Sequence, residues 1–312
     1  MKLNKQNKIF YYFRSFSRIY IPSTSFNSKI KHLKSKLNSQ NIAAAETRIA
    51  YYNKHESIAS TSHKYTIKDL KDPKTPKAYY FDSYEYARYF NPNTPLNFVF
   101  GDVTEVPEVP SIVKSRPISE NNQNSILLNL DKARHFVFVQ NDKNFLEKKP
   151  SLFGRAAVYQ EHRYLFFDLY FDHPLCNIGQ VNKTGGNPKW LKPKISIEKH
   201  LEYKFILSLQ GNDVATNLKW IMSSNSIAVM PKPTLETWFM EGKLIGGKHF
   251  IEIKSDYSDL EEQLNFYNEN PDECLMIIEN AHAHCRQFFN KDVEDYCSLR
   301  VLEKYFYNTK SM

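Results

Sequence analysis

The chain has 312 residues, 41% of them hydrophobic and 14% aromatic, which suffices for one large or two medium cored domains and excludes disorder throughout. Its formal charge of +8 is local: residues 1–45 carry nine of the 42 basic residues and no acid, leaving 33 bases against 34 acids in residues 46–312. The four cysteines (Cys176, Cys274, Cys285, Cys297) stand far apart with no C-x-x-C pair, so no disulfide framework is implied and a reducing cytoplasm is the expected home.

Residues 1–45 read as a basic leader. Its cations alternate with Ile9, Phe10, Tyr11, Tyr12, Phe13, Phe16, Ile19, Tyr20 and Ile21, a mixture that suits anionic lipid headgroups. The same composition fits nucleic acid or a solvated terminus. The leader lacks the continuous apolar stretch of a secretory signal, and no later run approaches the roughly 20 apolar residues of a membrane span, so any membrane contact is expected to be peripheral.

Residues 46–95 are polar and Tyr-rich; residues 79–90 predict a short helix ahead of the turn Asn91-Pro92-Asn93-Thr94-Pro95. Residues 96–101 and 136–139 predict strands, and Lys148-Lys149-Pro150 predicts a domain boundary. The Gly-rich stretch 183–189 is the most flexible internal segment by composition. Beyond residue 195 strands (204–210, 226–230, 250–253) alternate with helices (214–223, 235–241, 259–267, 271–289), which predicts an α/β fold built on a parallel sheet. Ligands of such sheets bind beyond the carboxyl ends of the strands. His282, His284 and Cys285 have no carboxylate or second cysteine pair at ligand spacing, so no metal site is expected.

There is no G-x-G-x-x-G, Walker A, G-x-S-x-G or D-x-D motif, which weighs against a standard dinucleotide oxidoreductase, a P-loop phosphotransferase, a serine hydrolase and a metal-dependent transferase. Four other segments carry chemistry. Asp102, Glu105 and Glu108 lie in a proline-rich loop after a strand, where a general base can be held rigidly; a capped turn with solvated acids has the same composition. Arg155 and Arg163, near the start of a predicted helix, can neutralise a diphosphate or form ordinary surface ion pairs. Gly211, Asn212 and Asp213 join a strand to a helix carrying Lys219, supplying backbone N–H groups for an anion or a simple cap. Glu236, with Trp238 and Phe239, suits the edge of a nucleoside pocket or plain helix packing.

Taken together these segments resemble the CAP10-like glycosyltransferases, family 90. The resemblance runs from about Phe98 to Phe306 and is strongest in GDVTEVPEVPSIVKSRPI, YFDHPLCNIGQV, GNDVATNLKWIM and PKPTLETWFMEGKLI. It implies a two-lobed GT-B fold with Rossmann-like parallel sheets and inverting, metal-independent transfer from a UDP-sugar. A lipopolysaccharide-core or related surface-glycan acceptor is implied, with no cofactor. By this resemblance Glu105 is the catalytic base, with Asp102 and Glu108 as alternatives. Arg155 and Arg163 hold the donor phosphates with Gly211, Asn212, Asp213 and Lys219, and Glu236 faces the donor ribose. The chain departs from the family pattern around Gly154 and at Asn217, where eukaryotic members carry a phosphate-facing arginine.

The expected organisation is a leader (1–45) for an anionic membrane surface, an acceptor-side lobe (46–150), a nucleotide-sugar lobe (151–290) and a C-terminal helix (291–312). The expected location is the inner face of the inner membrane, with no nucleic-acid partner. The alternatives are a basic membrane- or nucleic-acid-binding protein on an α/β scaffold, or an inactive transferase.

Overall fold

Five strands lie side by side in one all-parallel sheet, in the order Cys176–Gln180, Lys149–Ala156, Tyr203–Leu207, Ile227–Met230 and Ile251–Glu252. The computed structural model describes residues 2–4, 7–56 and 62–310; Lys5 of the basic leader lies outside them. Counted along the chain, the strand order is 2-1-3-4-5, one of the doubly wound arrangements. Every residue of Ile227–Met230 is buried, as expected of a parallel strand covered on both faces. Around this sheet one compact unit gathers Met1–Lys5, His135–Pro233 and Lys243–Arg286.

The helices of this unit show the signals that start and stop them. Pro271 opens Pro271–Arg286, Asp272 and Glu273 fill its first turn, and His284 and Arg286 its last, matching acids and bases to the helix dipole. Its apolar face (Cys274, Ile277, Ile278, Ala281, Cys285) is buried at helical spacing. Helix Glu161–Tyr170 sinks Phe166 and Phe167 into the core that also takes Leu152, Ile178, Phe205 and Leu207. Burying each such ring stabilises the fold by roughly 1.5–3 kcal/mol.

The second unit comprises Gln6–Arg134, Thr234–Gly242 and Gln287–Met312. Strands Phe98–Val99, Ser111–Val113 and Ser125–Leu127 form a parallel sheet, and Ser115–Pro117 pairs antiparallel with Leu235–Thr237. Asn7, Ser25, Asn38 and Asn290 accept backbone N–H bonds as N-caps of helices Lys8–Tyr20, Phe26–Lys34, Ser39–Tyr52 and Lys291–Asn308. The last of these packs against Phe26–Lys34, Ser39–Tyr52 and Lys77–Ala87 and buries Leu299, Leu302, Tyr305 and Phe306.

The mixed α/β architecture with parallel sheets agrees with the sequence reading, but several elements differ. Residues 7–45 are integral to the second unit, with Leu33 and Ala45 fully buried, rather than a separate leader. Arg155 lies within strand Lys149–Ala156, not at a helix start. Residues 235–237 form a strand instead of a helix, because residues 115–117 offer them an antiparallel partner. Lys148 is no boundary: its buried ammonium donates to Asp142 Oδ2 (2.6 Å), Leu201 O (2.8 Å) and Ser226 Oγ (2.8 Å).

Candidate active site

In a sheet of this order the crevice forms where neighbouring strands leave in opposite directions, here between Lys149–Ala156 and Tyr203–Leu207. Arg163 stands at that place. Its Nη1 donates to Ala157 O (2.6 Å), beyond the first strand, and its Nη2 and Nε donate to Leu209 O and Gln210 O (both 2.8 Å), beyond the third. No carboxylate among the described residues pairs with it. Burial pulls the guanidinium down to about 10, well above neutral pH, so a charged group sits there held by carbonyl oxygens.

The neighbours of Arg163 are polar. A Cβ placed on Gly211 would lie 3.6 Å from Arg163 Nη2, so the backbone there runs beside the guanidinium. Gln160 Nε2 donates to Asn212 Oδ1 (2.8 Å), His162 Nε2 lies 2.9 Å from Gln210 O, and Gln210 Nε2 donates to Asp213 O (3.4 Å). The structure therefore gathers Arg163, Gly211, Asn212 and Asp213 at the carboxyl end of the sheet.

Arg155 is not brought to Arg163. Leu152 and Ala156 face the core shared with Phe166 and Phe167, so strand alternation turns Phe153 and Arg155 to the opposite face. There Arg155 lies over the Phe153 ring (4.3 Å) and donates to Gly154 O (2.8 Å), Asn177 O (2.9 Å) and Asn177 Oδ1 (3.1 Å). Lys219 is fully buried on the short helix Leu218–Met222, near enough for its charge to bear on the Cys285 thiol. Asn217 pins the third strand's exit, donating to Leu207 O (2.9 Å) and accepting from Ser208 Oγ (3.1 Å). The Gly185-Gly186 turn, flexible by composition, is held by Gln180, which donates to Gly185 O (2.9 Å) and accepts from Asn187 N (3.0 Å).

In the second unit the acids part company. Asp102 is ion-paired with Lys114 (2.6 Å), whose side chain is buried. Glu105 and Glu108 are exposed, and neither has a side-chain partner among the described residues. The loop that carries them is braced: Ser115 Oγ accepts from Val103 N (3.1 Å) and donates to Val103 O (2.9 Å). Asn124 Nδ2 donates to Pro107 O (3.0 Å) and Glu108 O (2.8 Å), and Tyr305 Oη to Pro110 O (3.2 Å). Glu105 is thus a solvated carboxylate on a fixed backbone.

Glu236 belongs to this unit, not to the one holding Arg163. It sits opposite Arg116 across the strand pair, accepts from Arg116 Nε (2.8 Å) and is hydrogen-bonded by Tyr51 Oη, with both ion-pair side chains buried. Arg116 spends its other nitrogens on Ser125 O (3.0 Å), Tyr52 O (3.3 Å) and Tyr51 O (2.8 Å). No group of three His, Cys, Asp or Glu side chains that could hold a metal occurs among the described residues.

The profile of glycosyl transferase family 90 matches residues 178–310. A relative described as O-glucosyltransferase LpsA, from Dichelobacter nodosus, is 40% identical over 270 residues, spanning 85% of this chain and 83% of the relative. The chain belongs to glycosyl transferase family 90. It is accordingly a glycosyltransferase. The matched span takes in Gly211, Asn212, Asp213, Lys219 and Glu236, whereas Glu105, Arg155 and Arg163 precede it.

Sequence reasoning missed Gln160, His162 and Gln210 as neighbours of Arg163. Each stands just beyond a strand or at a helix start, but only the strand order tells which exits converge. As isolated polar residues they carry no signal of their own.

Proposed function

We propose that this family 90 enzyme transfers a sugar, with inversion and without a metal, from a UDP-sugar to a lipopolysaccharide-core or related surface glycan. The two compact units then correspond to the lobes of a GT-B enzyme working as a peripheral protein at the inner face of the inner membrane. The observation that carries this reading is Arg163: a half-buried cation fixed by three carbonyls at the sheet's switch point, with no acid among the described residues to neutralise it. A diphosphate supplies the missing negative charge. The guanidinium needs no reorganisation to receive it, which is the condition for strong stabilisation of a departing group.

In this mechanism Glu105 takes the proton of the acceptor hydroxyl as that oxygen attacks the anomeric carbon opposite the diphosphate. Arg163, with the backbone N–H groups around Gly211 and Asn212, bears the charge developing on UDP. Arg155 and Lys219 contribute positive potential rather than contacts, given the partners that already hold Arg155 and the burial of Lys219. The description of the relative makes UDP-glucose the first donor to try.

Calorimetry against a panel of nucleotide sugars tests the donor class, and Arg163→Ala tests the site. The variant is expected to lose UDP affinity and about 3–4 kcal/mol of barrier lowering. Unchanged UDP affinity in a folded Arg163→Ala protein rules out this role for Arg163.

A further inference from the structure

Helix Lys8–Tyr20 is seated on the rest of the second unit by Tyr11 Oη, which donates to Asp82 Oδ1 (2.8 Å), by Arg18, which pairs with Glu85, and by Phe16 and Tyr12, which pack edge-on against the Phe81 ring (4.8 and 6.0 Å). The side facing away is apolar, with Ile9 83%, Phe10 64%, Phe13 69% and Tyr20 83% exposed. A helix already seated on its inner side, with four further large apolar side chains left in water on the outer one, is organised for a second apolar phase. Lys8, at the first position of the helix, and Arg14, one helical turn after Phe10, are exposed, while Arg18 is already neutralised.

We propose that this outer face docks on an anionic lipid bilayer, with Ile9, Phe10 and Phe13 entering the headgroup–acyl boundary and Lys8 and Arg14 meeting lipid phosphates. Charge selects this occupant. Residues 1–45 contain no acid, so a second copy packed face to face sets Lys8 and Arg14 against their own counterparts. The inner edge of the same helix gives the docking a use. Tyr12 and Phe16 wall a cleft of about 710 Å³ whose other side includes Tyr79, Gly101, Asp102 and Arg134, the first part of the loop that carries Glu105. Aromatic rings beside carboxylate and guanidinium groups suit a saccharide, and a bilayer against the helix puts that cleft at the lipid–water boundary. The polar head of a lipid-linked acceptor enters there. The identity of the acceptor rests on the proposed function; the docking rests on the helix alone.

The test is flotation of the full chain with phosphatidylcholine vesicles, with and without phosphatidylglycerol. Binding is expected only with phosphatidylglycerol, and Phe10→Ser/Phe13→Ser should weaken it about tenfold or more while melting temperature and UDP affinity stay unchanged. Lys8→Glu/Arg14→Glu should weaken it to a similar degree. Failure of the parent chain to float with anionic vesicles, or equal flotation by Phe10→Ser/Phe13→Ser, overturns the proposal. So does sedimentation showing a dimer that this double variant dissociates, because a second copy is then the occupant. Failure of the transferase reading registers separately, as absence of sugar turnover, and does not move the flotation.

Discussion

Glu105 and Asp102 lie three residues apart under opposite electrostatic conditions. Asp102 is tied to a buried ammonium at 2.6 Å, whereas no cation among the described residues holds Glu105. Glu105→Gln is expected to lower transfer by about 10²–10⁴-fold with UDP affinity unchanged, measured by product formation and calorimetry. Turnover equal to the parent enzyme takes Glu105 out of the mechanism. Glu236→Ala has a different signature: it strands the buried Arg116 guanidinium, so a loss of about 3–5 kcal/mol in chemical denaturation is expected. An acid beside Trp238 and Phe239 is legible in the sequence as chemically interesting. Its ion-pair partner, 120 residues earlier, is not. The same limit applies to Arg155 and Arg163, whose separation in sequence fits one phosphate grip. Only strand alternation reveals that Arg155 leaves the sheet on the face opposite the one covered by the helix that carries Arg163.

At the scale of elements, polar anchors hold helix Lys8–Tyr20 to helix Lys77–Ala87, and that makes its seating acid-sensitive. Burial alone raises the Glu85 carboxyl, but Lys132 and Arg18 outweigh it and hold it down at about 2. The unfolded chain therefore binds this proton more readily than the folded one. The stabilisation is present above the usual glutamate range, near 4.5, and is lost as pH falls toward 2. Protection of residues 8–20 against hydrogen exchange, taken relative to the intrinsic rate at each pH, should fall over that window in the parent and be low throughout in Glu85→Gln; unchanged protection across the window refutes the assignment. Elements with local signals were legible, including Pro271–Arg286 with its capping proline and the apolar strands around residues 204 and 227. Strand Lys149–Ala156 was not, because Lys149, Pro150, Gly154 and Arg155 break its apolar run; Pro150 is tolerated near the start of a strand. Leu235–Thr237 is a strand for a non-local reason that no window of sequence contains.

At the scale of the molecule, the parallel α/β character was readable from alternation, while the division of the chain was not. The second unit draws on three separate stretches of sequence, and the later two complete its core. Tyr52 stacks on Trp238 at 3.8 Å and donates to its carbonyl at 2.8 Å, Trp238 Nε1 donates to Glu294 Oε2 at 2.6 Å, and Glu294 pairs with Arg48 at 2.5 Å. A fragment of residues 1–134 lacks Glu236, Trp238 and Glu294, leaving Arg48 and Arg116 without their acids. It is expected to lack cooperative unfolding by circular dichroism; a sharp thermal transition in that fragment counts against this account.

The same interleaving sets a timetable for synthesis. The ribosome delivers Arg48, Tyr52 and Arg116 long before Trp238 and Glu294, so the amino-terminal part of the nascent chain must wait, half-built, for the last helix to emerge. The parallel sheet of the other unit can close earlier, since its final strand and covering helices end at Arg286. The portion made first is therefore the portion finished last.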